Sequence, residues 1–134
     1  MKTSLSDMRG FSLIEVLLAV TIIGLIAAAA VPKAAHVMAV SRTQRVIADL
    51  QTLDAAVVMY ETEKGTPPKA IGDLSDYVRS IEKVKPPKDS TIIVGTGEEK
   101  VTEASYTITD NGPEGVRATL GKYTADDLLP SGSR

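Results

Sequence analysis

Cysteine is absent from this chain of 134 residues, tryptophan is absent too, and there is one histidine and one phenylalanine. Without cysteine no disulfide can brace an exported domain, and no Cys–His pair can be built for nucleophilic catalysis. The lone His36 stands among alanines just past the apolar segment, where it reads as a polar residue at headgroup level rather than a catalytic or metal-binding one. The residues therefore point to a non-enzymatic protein with no cofactor. Neither sign of charge dominates: the formal net charge is −2, which gives no reason to expect nucleic acid as a direct ligand. No internal repeat is present, and the length allows one modest domain beside a membrane segment.

What the chain does have is one long apolar run. Residues 11–31 carry a single charge, Glu15. As a helix rising about 1.5 Å per residue, the run spans the ~30 Å hydrocarbon core of a bilayer. An ionised carboxylate within such a span costs roughly 2–3 kcal/mol, so it is kept for a partner or a function unless it can snorkel to water. The preceding residues 1–10 are polar, set Lys2 and Arg9 against Asp7, and end in Gly10. A secretory signal would instead be cut after its apolar region, and Ala27-Ala28-Ala29-Ala30 imitates such a site. A cut after Gly10 keeps the helix in the mature chain and creates a new amino terminus at Phe11, four residues before Glu15. The new ammonium and the carboxylate lie one turn apart within a helix, and they meet directly between neighbouring helices displaced by about one turn. The basic leader favours a cytoplasmic amino end, with everything after Val31 outside.

The run Arg9-Gly10-Phe11-Ser12-Leu13-Ile14-Glu15, with Gly24 and Pro32 further on, resembles the amino terminus of type IV pilins and type II secretion pseudopilins. The resemblance is dense over residues 9–32 and looser to about residue 78. It implies that a membrane-embedded aspartyl peptidase, the prepilin peptidase, cuts after Gly10 and methylates the new amino-terminal Phe11. It also implies that Glu15 neutralises the terminal amine of an adjacent subunit during assembly. The partners it implies are identical or related pilin subunits in a helical homopolymer, an inner-membrane assembly platform and the lipid bilayer. The location it implies is single-pass in the inner membrane, and then in an extracellular or periplasmic filament. The chain departs from many pilins in lacking the cysteine pair that closes their carboxy-terminal loop. It departs from secretion pseudopilins in lacking an Asp-Pro-Trp-Gly-like segment near the carboxy end. Tyr60, Gly65, Pro67-Pro68 and Leu74 are similar to a stretch found both in secretion pseudopilins and in simple Gram-positive or competence pilins. A pilin or pilin-like subunit of a type IV pilus is slightly favoured over the major pseudopilin of a type II secretion system.

Past Pro32 the helical pattern turns amphipathic. Val46, Ile47, Leu50, Leu53, Val57 and Tyr60 recur at steps of three and four, with Arg42, Arg45, Asp49, Gln51 and Glu61 between them. Pro32 has no N–H to donate and disfavours helical geometry at Val31, so a kink or local melting is expected there. Gly24 costs roughly 1 kcal/mol of helix propensity, and in a membrane span it permits close helix approach. Gly65 before Thr66-Pro67-Pro68 is a strong helix stop, giving a helix of about 80 Å from residue 11 to 64. Residues 73–81 suggest a short helix. Residues 91–94, 104–109 and 116–120 are rich in β-branched side chains and read as strands separated by turns at 95–97 and 110–113.

The expected fold is therefore α+β and type IV pilin-like: a long amino-terminal helix packed against a small antiparallel sheet. Its parts are a leader (1–10), a membrane and filament-core helix (11–31), its amphipathic continuation (32–64), and a head (65–134) with a short helix and a three-stranded sheet. Residues 126–134 read as a loose tail. Asp110, Glu114, Asp126 and Asp127 could supply oxygen ligands to calcium, as carboxy-terminal loops of some secretion pseudopilins do. Yet Asp110-Asn111-Gly112 is better read as turn chemistry, and the spacing matches no recognised calcium loop, so no metal is expected. Two other readings are a monomeric membrane-anchored binding domain that is never cut at Gly10, and an exported soluble protein cut after the alanines.

Overall fold

The computed structural model describes residues 12–129. They form two units, one up to His36 and one from Val37 onward, and a single helix, α1 (Leu13–Lys64), contributes to both. In the first unit every side chain from residue 12 to 36 is exposed. The hydroxyl of Thr21 donates to the carbonyl of Leu17 (2.7 Å), so this polar group is satisfied inside the helix. The backbone stays helical through Pro32, and the local melting expected there does not occur. Proline removes one hydrogen bond to the carbonyl four residues back. The alanines at 27–30, 34 and 35 are the best helix formers and sustain the turns on either side.

In the second unit α1 buries one stripe: Ala39, Thr43, Val46, Ile47, Leu50, Leu53, Ala56 and Val57. These positions follow the three- and four-residue steps expected of a packed amphipathic helix, and Tyr60 packs at the margin of the core they build. Against the stripe lie Leu74, Val78, Ile92, Val101, Tyr106, Ala118, Leu120 and Leu128. Gly65 ends α1 in the left-handed conformation (φ +69°), and its N–H donates to the carbonyl of Glu61 (2.8 Å). In place of the short helix expected over 73–81 come two 3₁₀ turns, Ile71–Leu74 and Ile81–Lys83.

The expected three-stranded sheet is corrected to two separate antiparallel hairpins. Strand β1 (Thr91–Val94) pairs with β2 (Gly97–Lys100), and β3 (Thr107–Asp110) pairs with β4 (Val116–Thr119). Gly95, at φ +59°, begins the two-residue turn that lets β2 fold straight back on β1. β2 reads Gly-Glu-Glu-Lys and is exposed along its whole length, so it carries none of the β-branched or apolar signal of a strand. The strand expected over 104–109 begins only at Thr107, and Tyr106 before it is a core side chain. A single turn of helix, α2 (Ala125–Leu128), follows, with the Asp127 carboxylate accepting the backbone N–H and the hydroxyl of Thr124.

A lone two-stranded hairpin is marginal in water, so each must dock on α1. Three polar side chains of the helix fix where. The Thr43 hydroxyl donates to the carbonyl of Ala39 and accepts the N–H of Ile93 in β1 (2.7 Å). Asp49 accepts the phenolic O–H of Tyr106 (2.9 Å), whose pKa is pushed well above the usual tyrosine range by burial first and by the Asp49 charge second. Asp54 accepts the N–H of Ala118 in β4 at one oxygen (2.7 Å) and the guanidinium of Arg117 at the other (2.8 Å). Removing the Asp54 carboxylate leaves a buried N–H and a half-buried guanidinium without that acceptor. Asp54→Ala should cost about 2–3 kcal/mol, and Asp54→Asn, which keeps one carbonyl oxygen, about half as much. The check is the urea midpoint of the full chain in detergent micelles; an unchanged midpoint for Asp54→Ala refutes the docking role.

Candidate functional site

The first turn of α1 opens on Ser12, whose carbonyl accepts the N–H groups of Glu15 (3.0 Å) and Val16 (3.2 Å). Glu15 sits in that turn, where the positive end of the helix dipole favours a carboxylate. Its side chain is exposed, and among the described residues no basic group pairs with it. Around it Leu13, Ile14, Val16 and Leu17 are open to the exterior, Leu13 at 79 % exposure. The same is true of Val20, Ile22, Ile23, Leu25, Ile26 and Val31, so the apolar surface covers the helix all round. A soluble monomer rarely leaves so large an apolar surface uncovered. The helix is long and apolar enough to cross a membrane.

Gly24 lies on this helix with nothing within 4 Å of the place its Cβ would occupy, so the chain's own packing does not require glycine there. Pro32 lies inside α1. Gly10 and Phe11, where cleavage and methylation are expected, lie outside the described residues.

Residues 5–31 match the family model for the prokaryotic N-terminal methylation motif. The chain carries the type IV pilin and pseudopilin signature. The motif covers about a fifth of the chain and takes in Gly10, Phe11, Glu15 and Gly24, ending one residue before Pro32. It implies processing by prepilin peptidase and assembly into a filament, and with the apolar helix it is compatible with a membrane-anchored protein. No curated protein and no solved structure matches the chain.

The acids considered for calcium are spread over other tasks. Asp110 accepts the N–H of Gly112 in a turn (2.9 Å), Asp127 caps α2, and Glu114 and Asp126 both face Arg117. The Arg117 pKa is driven above its already high ordinary value by its hydrogen bonds to Asp126 first and then to Asp54. Among the described residues no three acids or histidines come together as a metal cage. Sequence reasoning passed over Thr43, Asp54 and Arg117. The available signal was polar residues at or beside positions of the buried stripe, since 43 precedes 46 and 47 by three and four, and 54 follows 50 by four. Because Gly24 meets nothing among the described residues, Gly24→Ala should leave the unfolding free energy of the detergent-solubilised protein unchanged or raise it by no more than about 1 kcal/mol. A lower value, read by circular dichroism, would show a packing role within the monomer.

Proposed function

We propose that this protein is a non-enzymatic structural subunit, a pilin or pilin-like protein, of a type IV filament. On this reading the prepilin peptidase cuts after Gly10, and the chain waits in the inner membrane with its amino end in the cytoplasm. The assembly platform then extracts it into a helical polymer. The observation that carries the reading is the coincidence of the methylation motif at residues 5–31 with a helix whose apolar side chains are uncovered and whose first turn holds Glu15.

The mechanism follows from the change of surroundings. In the bilayer the uncovered helix is solvated by lipid; in the filament the same surface is buried against other helices. Glu15 buried without a partner is costly, so pairing with the Phe11 ammonium of a neighbour favours one axial register and penalises the others. Such a polymer serves adhesion, twitching or DNA uptake if it is a pilus. The alternative, a major pseudopilin, drives a secretion piston with the same amino-terminal helix. The absence of tryptophan, and with it of the Asp-Pro-Trp-Gly-like segment, favours the pilus subunit.

Intact mass and amino-terminal peptide mass on protein from the native membrane test the processing: the expected chain begins at Phe11, with an added methyl. A chain beginning at Met1 would indicate a simple anchor, and one beginning after the alanines a secreted domain. Replacing Gly10 by a bulky residue should leave an uncut precursor. Glu15→Ala should leave membrane insertion intact while lowering filament yield, and a normal yield from that variant would sink the register argument.

A further inference from the structure

Two patches of opposite charge lie in the second unit. Glu61 and Glu63 are two residues apart, hence about 200° apart around the helix. Glu63 faces Tyr77, which donates its phenolic hydrogen to it (2.6 Å) and stacks edge-on against Tyr60. Glu61 lines an open depression of about 440 Å³ formed between α1 and the β3–β4 side. Its apolar lining is Ala55, Val58 and Val116, of which Val58 is 61 % exposed. Its acidic lining is Asp54, Glu61 and Glu114. Arg117, the one cation lining it among the described residues, is already held by Asp54 at 2.8 Å and Asp126 at 2.6 Å and reaches Glu114 only at 3.6 Å. Glu61 has no ion-pair partner among the described residues.

The opposite charge is carried by residues 79–88, which follow Tyr77. There Arg79, Lys83, Lys85 and Lys88 face one acid, Glu82, and none of the four makes an ion pair among the described residues. Lys85 and Lys88 are exposed and flank Pro86-Pro87, of which Pro86 is buried. The strap is held at its end as well: the N–H of Lys88 donates to the carbonyl of Pro86 (2.8 Å) and that of Asp89 to the carbonyl of Val101 (3.0 Å). The two lysines are thus presented on a backbone that has little freedom left to lose on binding.

We propose that in the polymer the Lys85–Lys88 strap of one head docks into the Glu61–Glu114 depression of a second copy of this chain. The inference rests on the filament reading above. A lysine suits the depression because its aliphatic stem can lie on Val58 and Ala55 while its ammonium meets the lining carboxylates. The two surfaces are different patches of one molecule, so the contact is head-to-tail, the class of interface that builds a helical filament when its rotation does not close a ring. It also adds a salt-sensitive, register-selective interaction at the level of the heads.

The absence of native cysteine makes the contact directly testable. Glu114→Cys and Lys85→Cys are combined in the full-length chain, expressed in the native host and oxidised in assembled filaments. The expected result is a ladder of covalent multimers on a non-reducing gel, with each single variant remaining monomeric. Filaments of the double variant that give no ladder, or a dimer from either single variant, overturn the proposal. As a second readout, Glu61→Lys with Glu114→Lys should lower filament yield roughly tenfold, and adding Lys85→Glu and Lys88→Glu should restore it. Undiminished yield from the first pair overturns the docking while leaving the filament reading intact. No filament from the unaltered chain overturns both.

Discussion

Everything in the head depends on one face of α1, because neither hairpin belongs to a larger sheet and no disulfide holds them. A two-stranded sheet has one partner strand and two edges, and it gains stability only by laying an apolar face on something rigid. The buried stripe from Ala39 to Val57 is that surface. Apolar contact alone does not set where each hairpin sits along the helix. The three polar groups at 43, 49 and 54 do so, each at its own height: Thr43 on β1, Asp49 on Tyr106, and Asp54 on β4. An acceptor placed for one N–H rejects a slipped docking, since a slip leaves both groups unsatisfied.

The same helix presents two kinds of surface. From residue 12 to 36 its side chains are all open and almost all apolar, with Glu15 in the first turn. From Val37 its buried side faces a core, and the opposite side carries Gln44, Ala48, Gln51, Thr52 and Ala55. Continuity through Pro32 costs one backbone hydrogen bond, a loss the flanking alanines tolerate. A carboxylate in the first turn of an otherwise apolar helix is stabilised by the dipole yet still seeks a cation, which is the physical root of the assembly proposal.

The long helix, its stop at Gly65 and its buried stripe were legible in the residues because each rests on local periodicity or local backbone geometry. β1 and β4 were legible from β-branched composition. β2 was not: Glu98 and Glu99 look like loop, and only the Gly95 turn together with the fixed position of β1 makes them a strand. Without that strand, residues 104–106 were taken for part of a sheet that the chain does not form. The methylation motif was legible because it is read on consecutive residues. The roles of Asp54 and Arg117 were not, because they are 63 residues apart and are joined only by the docking of β4 on α1.

Local chemistry, then, already contained the apolar span, the isolated Glu15 and the amphipathic spine, since these need no information beyond a helix's own repeat. The pairing of strands into two hairpins, the choice of Thr43, Asp49 and Asp54 as anchors, and the separation of an acidic depression from a basic strap required the folded chain. Each depends on bringing together residues that are distant in sequence, and hydrogen-bond and charge complementarity across such distances has no local signature.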